Sequence, residues 1–141
     1  MHRTLLRFVM PIETSAPSPP VADAVPPLIS ILRDRRAHIG IIGMGYVGLP
    51  AALSAVRAGF TVAGFDVDES KIDALRRGVS FLSHIPSCAV TNALHEGRFV
   101  VAANFERLPA CDAILICVPT PLTKHREPDL SYVEQSARAV A

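Results

Sequence analysis

The feature that most constrains the fold is a glycine-rich segment at residues 43–48, which lies between a short β-rich run and a helical pattern. Its spacing, G-x-G-x-x-G, is a weak signal alone but gains meaning directly after a strand and at the start of a helix. There the first glycine permits a tight turn, the second lets the backbone approach a pyrophosphate, and the third lets the helix pack closely. The helix N-terminus offers unpaired N–H groups to phosphates. The segment therefore predicts a dinucleotide-binding turn, with a plain glycine-rich turn as the alternative, made by Gly43, Met44, Gly45, Tyr46, Val47 and Gly48.

The second β-rich run ends at Asp66, eighteen residues after Gly48. A carboxylate at this position is placed to accept hydrogen bonds from the adenosine ribose of a bound dinucleotide. It would repel a 2′-phosphate, and no arginine follows immediately, so the sequence favours NAD over NADP. Lys71 is a further candidate for the adenosine end, although an ordinary solvated helix lysine explains it equally well.

Strand and helix patterns alternate along the chain from residue 38. The expected strands are 38–43, 61–66, 99–103 and 113–118, and the expected helices are 46–58, 69–77, 87–96 and a last one that begins at 129 or 131 and continues to 141. Parallel strands need long, right-handed crossover connections, so this alternation predicts a parallel sheet covered by helices. The fold class is therefore α/β, a Rossmann-like doubly wound parallel sheet. We expect it to be incomplete at the C-terminus, because the apolar strand 113–118 is left near an open edge.

The composition divides the chain into three segments. Residues 1–27 hold six of the twelve prolines, mixed with Ser, Ala and Thr, and are expected to form a disordered tail. Apolar residues followed by three arginines predict a short lead-in helix over 28–36. Residues 37–141 are expected to form a partial NAD-binding domain.

The fourth predicted strand ends at Val118, Pro119 and Thr120, which places these residues at the edge where open α/β sheets bind ligands. Prolines on both sides of Thr120 stiffen the segment and remove two amide donors, which fixes the hydroxyl and the nearby carbonyl groups. We therefore expect Val118, Pro119 and Thr120 to contact the cofactor, with a plain loop as the alternative.

Charge and cysteine content argue against several classes of function. Lys and Arg number 14 against 13 Asp and Glu, which indicates neither a basic nucleic-acid surface nor an acidic tail. The three cysteines have no CxxC spacing and are expected to be reduced core thiols in a cytoplasmic protein. The five histidines lack metal-ligand spacing, so no metal site is predicted. Residues 39–56 carry no charge, but four glycines and Pro50 argue against a membrane span.

Three longer segments resemble the N-terminal domain of the UDP-glucose/GDP-mannose dehydrogenase family: GIIGMGYVGLP, GFDVDESKIDAL and, the most specific, ICVPTPLTKHREPDLSYVE. The resemblance covers residues 36–141 and is closest to the UDP-N-acetylglucosamine 6-dehydrogenase members. It implies a two-step, four-electron oxidation of a sugar C6 alcohol to a carboxylate with two NAD molecules, in bacterial polysaccharide or O-antigen synthesis. The positions that match NAD-contacting positions of the family are Tyr46, Val47, Asp66, Lys71 and Thr120.

The same resemblance implies that the catalytic groups of the family lie outside this sequence. The family's catalytic cysteine and its partners fall beyond residue 141, and Cys88, Cys111 and Cys117 match no catalytic position, so no catalytic residue is predicted. We expect NAD binding by this chain, and a UDP-sugar substrate and a homo-oligomeric state for a longer parent. No nucleic-acid or membrane partner is expected. The alternatives are a stand-alone NAD-binding or regulatory module and a truncated fragment without function.

Overall fold

The computed structural model describes residues 26–141, with the backbone alone for Pro26 and Pro27. Along the chain the elements are α1 (Pro26–Arg33), β1 (His38–Ile42), α2 (Gly48–Arg57), β2 (Thr61–Phe65), α3 (Glu69–Arg76), α4 (Ser87–His95), β3 (Phe99–Ala102), β4 (Ala113–Ile116) and α5 (Ser131–Val140). One short 3-10 turn, Leu108–Ala110, precedes β4. Strands and helices follow each other in the order that the sequence predicts, with α3 and α4 both between β2 and β3.

The four strands form one parallel sheet in the order β3-β2-β1-β4. Its register places Ile42 beside both Phe65 and Ile116, so the carboxyl ends of the three strands meet at one edge of the sheet. The chain leaves β1 toward β2 but later adds β4 on the other side of β1. This reversal creates a crevice at the carboxyl edge, the usual ligand site of such folds. The predicted Rossmann-like parallel sheet is confirmed.

Two apolar clusters pack against the sheet. Ile41 belongs to the larger cluster with Leu49, Ile72 and Val90, which joins α2, α3 and α4 to the strands. Ile42 belongs to a smaller cluster with Phe65 and Leu108. Because successive side chains of a strand point to opposite faces, both faces of β1 are covered, and this explains its nearly continuous apolar sequence.

The strands at the two sides of the sheet are less covered than the central pair. β3 pairs with β2 alone and β4 with β1 alone within residues 26–141. Leu115 and Ile116 of β4 are 43% and 39% exposed, whereas Ile41 of β1 is 1% exposed. The open edge that the sequence predicts for the fourth strand is present in the described part of the chain.

Helix α1 precedes the parallel sheet and packs against it through Ile31 and Leu32. It spans 26–33, where the sequence predicts 28–36, and it ends early because Arg35 adopts a left-handed conformation with φ of +60°. The amides of Arg36 and Ala37 then donate to the carbonyl oxygen of Ile31, which closes the helix end. The predicted disordered tail lies, apart from the backbone of its last two residues, outside the described residues. None of the helices described between 26 and 141 is long and apolar enough to cross a membrane.

Candidate functional site

The segment 43–48, here called the glycine turn, connects β1 to α2 and excludes side chains at two positions. Gly43 has φ of +94°, and a Cβ there would collide with the carbonyl oxygen of Cys117. A Cβ on Gly48 would collide with the carbonyl oxygen of Gly43. At Gly45, in contrast, a Cβ would meet no atom within 4 Å. The first and third glycines therefore serve close packing, and the second borders open space.

The start of α2 presents backbone donors that the protein leaves unused. Sequence reasoning started this helix at Tyr46, but the structure starts it at Gly48, because Tyr46 and Val47 belong to the turn. The amides of Tyr46 and Val47 reach no backbone acceptor anywhere in the described chain. Unpaired N–H groups at the positive end of a helix dipole suit a phosphate group.

Asp66 joins the glycine turn to the loop that follows β2. Its side chain is 8% exposed, and its Oδ2 accepts a hydrogen bond from the Met44 amide at 2.8 Å. Its Oδ1 accepts one from the Asp68 amide at 2.9 Å. Sequence reasoning assigns this carboxylate to the ribose, and the structure adds that it also fixes the backbone on both sides of the crevice.

Lys71 extends from the first turn of α3 toward the same carboxylate. Its Nζ lies 3.5 Å from Oδ2 of Asp66 and 3.7 Å from Oδ2 of Asp68. The hydroxyl of Ser70 donates to Asp68 and, together with backbone amides, lowers the pKa of that carboxyl below its ordinary value. Two carboxylates and one ammonium group therefore stand at the position predicted for the adenosine ribose.

The end of β4 forms the opposite wall of the crevice. Cys117, Val118 and Pro119 line it, and the Cys117 amide donates to the carbonyl oxygen of Ile42 at 2.7 Å. Burial raises the pKa of the Cys117 thiol, so the group is neutral at physiological pH. Thr120 is exposed and does not line the crevice, although the sequence predicts a cofactor contact there.

The crevice has a volume of about 670 Å³, within the range of small-molecule sites. The predicted residues Gly43, Gly45, Asp66 and Lys71 line it. Met44 and Gly48 do not: the Met44 side chain is fully buried, so only its amide serves the site. Sequence reasoning missed several lining residues, because they come from loops and from α5 rather than from a motif: Phe81, Leu82, Phe105, Tyr132, Gln135 and Ser136.

One aromatic contact stands beside the crevice. The ring of Tyr46 is stacked on the ring of His84, with centroids 5.9 Å apart and planes 10° from parallel. The sequence gives no signal for this contact, since the two residues lie on separate loops. Within residues 26–141 no group of three His, Cys, Asp or Glu side chains is arranged to hold a metal ion.

These residues fit a dinucleotide. The space in front of Gly45 admits a pyrophosphate that a side chain there would exclude. The unpaired amides of Tyr46 and Val47 suit phosphate oxygens. The carboxylate of Asp66 suits ribose hydroxyls. The apolar lining suits flat aromatic rings.

Comparison with known proteins agrees with this geometry. The profile of the UDP-glucose/GDP-mannose dehydrogenase family, NAD binding domain, matches residues 37–141. The UDP-N-acetyl-D-mannosamine dehydrogenase of Escherichia coli (strain K12) is 36% identical over 105 residues, which are 74% of this chain and 24% of that protein. The UDP-N-acetyl-D-glucosamine 6-dehydrogenase of Pseudomonas aeruginosa is 28% identical over 102 residues, 72% of this chain and 23% of that protein.

Solved structures show the same similarity. A UDP-glucose dehydrogenase from the hyperthermophilic archaeon Pyrobaculum islandicum superposes with a TM-score of 0.69 at 37% identity, covering 74% of this chain and 24% of that one. A GDP-mannose dehydrogenase from Pseudomonas aeruginosa, solved as a ternary complex, gives 0.69 at 32% identity, covering 72% and 24%. The chain thus spans about a quarter of the length of the relatives that it matches.

Proposed function

The chain belongs to the UDP-glucose/GDP-mannose dehydrogenase family, whose NAD-binding domain it carries, and from this premise we propose that it serves a nucleotide-sugar 6-dehydrogenase. The proposed overall reaction converts the C6 alcohol of a UDP-N-acetylhexosamine to a carboxylate. The observation that carries the proposal is the crevice in which the glycine turn, Asp66 and the end of β4 meet.

A few residues of the crevice have a part in holding the cofactor. NAD, when bound, supplies the electron acceptor, and two molecules take up the four electrons released at C6. The amides of Tyr46 and Val47 hold the phosphates. Asp66 holds the adenosine ribose and keeps the glycine turn in place through the Met44 amide. No residue of the described chain is given a catalytic role, and we propose that this sequence alone is inactive.

The proposed substrate class rests on the names of relatives. Those at 36% identity are named for UDP-N-acetyl-D-mannosamine and NDP-N-acetyl-D-galactosaminuronic acid, and another is named for UDP-N-acetyl-D-glucosamine. An N-acetylated nucleotide sugar is common to all three names, which supports the class without selecting one sugar. Polysaccharide biosynthesis, a homo-oligomeric parent and a cytoplasmic location stay predictions.

A second candidate is a stand-alone NAD-binding or regulatory module. It needs no more than the crevice that the glycine turn, Asp66 and the end of β4 line. This candidate requires NAD binding but no oxidation of any sugar.

Calorimetric titration of the full chain with NAD tests the shared part of both candidates. Asp66→Ala is expected to weaken NAD binding at least about tenfold, since it removes the ribose acceptor and the anchor of the glycine turn. The matched control is Asp73→Ala, because Asp73 is an exposed residue of α3 that pairs with Arg76. A folded wild-type chain without affinity at millimolar NAD would contradict cofactor binding.

Assays of NAD reduction with UDP-N-acetylglucosamine and UDP-N-acetylmannosamine separate the two candidates. We expect no turnover by this chain alone, and turnover by a longer chain that contains it. A longer chain that binds NAD and oxidises neither sugar would favour the regulatory module.

A further inference from the structure

We propose that His84 is a positioning residue of the cofactor crevice, which acts by stacking on Tyr46 and so holding the glycine turn in place. This inference rests on the proposed cofactor function and adds a residue that neither the glycine motif nor Asp66 indicates. The imidazole and phenol rings are nearly parallel, 10° apart in orientation with centroids separated by 5.9 Å.

Tyr46 would have little to restrain it without this contact. Tyr46 is 78% exposed, although it belongs to the glycine turn and lines the crevice. The Tyr46 amide donates to no acceptor within residues 26–141. Fixing the ring restricts the backbone of the residue that carries this donor, so the amide is directed before a phosphate arrives. Preorganisation of this kind lowers the cost of binding.

His84 stands on a loop that is anchored independently of the glycine turn. Leu82 is 5% exposed, and the partly buried Ile85 packs against the larger apolar cluster. The Ile85 amide donates to the Leu82 carbonyl at 3.0 Å, and the Ser80 amide donates to the Ser87 hydroxyl at 3.0 Å. The loop therefore offers His84 a rigid base, and the stack transmits that rigidity to Tyr46.

The loop that carries His84 also contributes to the crevice. Phe81 and Leu82, from the same loop as His84, line the crevice together with Tyr46. Of the two aromatic pairs within residues 26–141, only the pair of Tyr46 and His84 joins this loop to the glycine turn. Loss of the imidazole is thus expected to loosen the turn and leave the core intact, because His84 itself is exposed.

The test compares NAD affinity in four forms of the full chain: wild type, His84→Ala, His84→Phe and His95→Ala. His84→Ala is expected to weaken NAD binding about two- to twelvefold, the affinity equivalent of an aromatic pair worth about 0.5–1.5 kcal/mol. His84→Phe keeps a ring to stack and should stay within about twofold of wild type. His95→Ala, at the exposed end of α4 and away from the crevice, is the matched control.

A spectroscopic measurement follows the stack itself. The chain has two tyrosines and no tryptophan, so Tyr132→Phe leaves Tyr46 as the single fluorescent side chain of that kind. In this background, His84→Ala should raise the acrylamide quenching of Tyr46 fluorescence, and His84→Phe should not.

The outcomes separate this inference from the cofactor function. Unchanged NAD affinity in His84→Ala, or no rescue by His84→Phe, would overturn the positioning role even if wild type binds NAD. If wild type binds no NAD, the proposed function is wrong, and the positioning role of His84 is wrong with it. The quenching data still show in that case whether the two rings stack.

Discussion

The second and third glycines of the motif look alike in sequence but differ in what surrounds them. At Gly48 an added Cβ would run into the carbonyl oxygen of Gly43, whereas at Gly45 no atom lies within 4 Å. A collision with backbone cannot be relieved by rotating a side chain. An added methyl group is therefore expected to lower stability at Gly48 and not at Gly45.

This difference predicts opposite outcomes for two alanine variants. Gly48→Ala should lower the free energy of unfolding by about 1–3 kcal/mol, the usual cost of overpacking. Gly45→Ala should stay within about 0.5 kcal/mol of wild type and weaken NAD binding about tenfold, because its methyl group enters the crevice. Urea denaturation and calorimetry measure the two quantities. Equal destabilisation by both variants would show that Gly45 is also packed against protein in solution.

Helix α3 begins with a side-chain cap that brings Lys71 to the crevice. Asp68 is the N-cap, and its carboxylate accepts hydrogen bonds from the amide and hydroxyl of Ser70 at 3.0 and 2.6 Å. These bonds, the hydroxyl one first, lower the pKa of Asp68 in the folded state. Because folding lowers the pKa of Asp68, the charged cap stabilises the fold fully at pH values above the ordinary aspartate pKa of about 3.9. This stabilisation is lost as the pH falls through the lowered pKa.

We therefore expect Asp68→Ala to lower the melting temperature at pH 7 and to differ less from wild type near pH 3. Asp68→Asn should recover most of the loss at pH 7, since asparagine is an equally good N-cap. Thermal unfolding followed by circular dichroism at the two pH values measures this. If the difference in melting temperature between wild type and Asp68→Ala widened on acidification, the charged cap at Asp68 would be contradicted.

Most elements could be predicted from sequence, because hydrophobic periodicity and glycine punctuation act locally. β1, β2 and α4 lie within one or two residues of their predicted bounds. The start of α2 was predicted too early, because apolar periodicity continues through Tyr46 and Val47 while the geometry of the turn delays the helix to Gly48. The 3-10 turn before β4 has no periodicity and was missed.

The site was predictable only where a motif carries it. The glycine turn and Asp66 follow from spacing along two strands, and the structure brings them together through the Met44 amide. The stacking of His84 on Tyr46 depends on how a distant loop packs, which no local pattern encodes. Thr120 follows β4 as predicted, but its side chain does not line the crevice, and its contact with the cofactor stays a prediction.

At the scale of the whole molecule, the sheet is covered at its centre and open at its sides. β1 has a partner strand on each side, but β4 has one on the β1 side alone within the described residues. The Cys117 amide donates to the carbonyl oxygen of Ile42. Because successive N–H groups of a strand point to opposite sides, the Leu115 N–H also points toward β1, and the N–H groups of Ile114 and Ile116 point away from the sheet. An open apolar edge of this kind is prone to pair with another strand.

Amide hydrogen exchange followed by NMR distinguishes an open edge from a covered one. If the edge is open in solution, Ile114 and Ile116 should exchange at least about tenfold faster than Leu115 between them, because neighbours in one strand share the same unfolding events and differ only in their hydrogen bonds. Ile41, at the centre of the sheet, serves as the protected reference. Equal protection of the three β4 amides would mean that another strand covers the edge. If that protection falls on dilution, the covering strand comes from a second copy of the chain, and if it persists at a concentration where sedimentation shows a monomer, it comes from residues of the same chain.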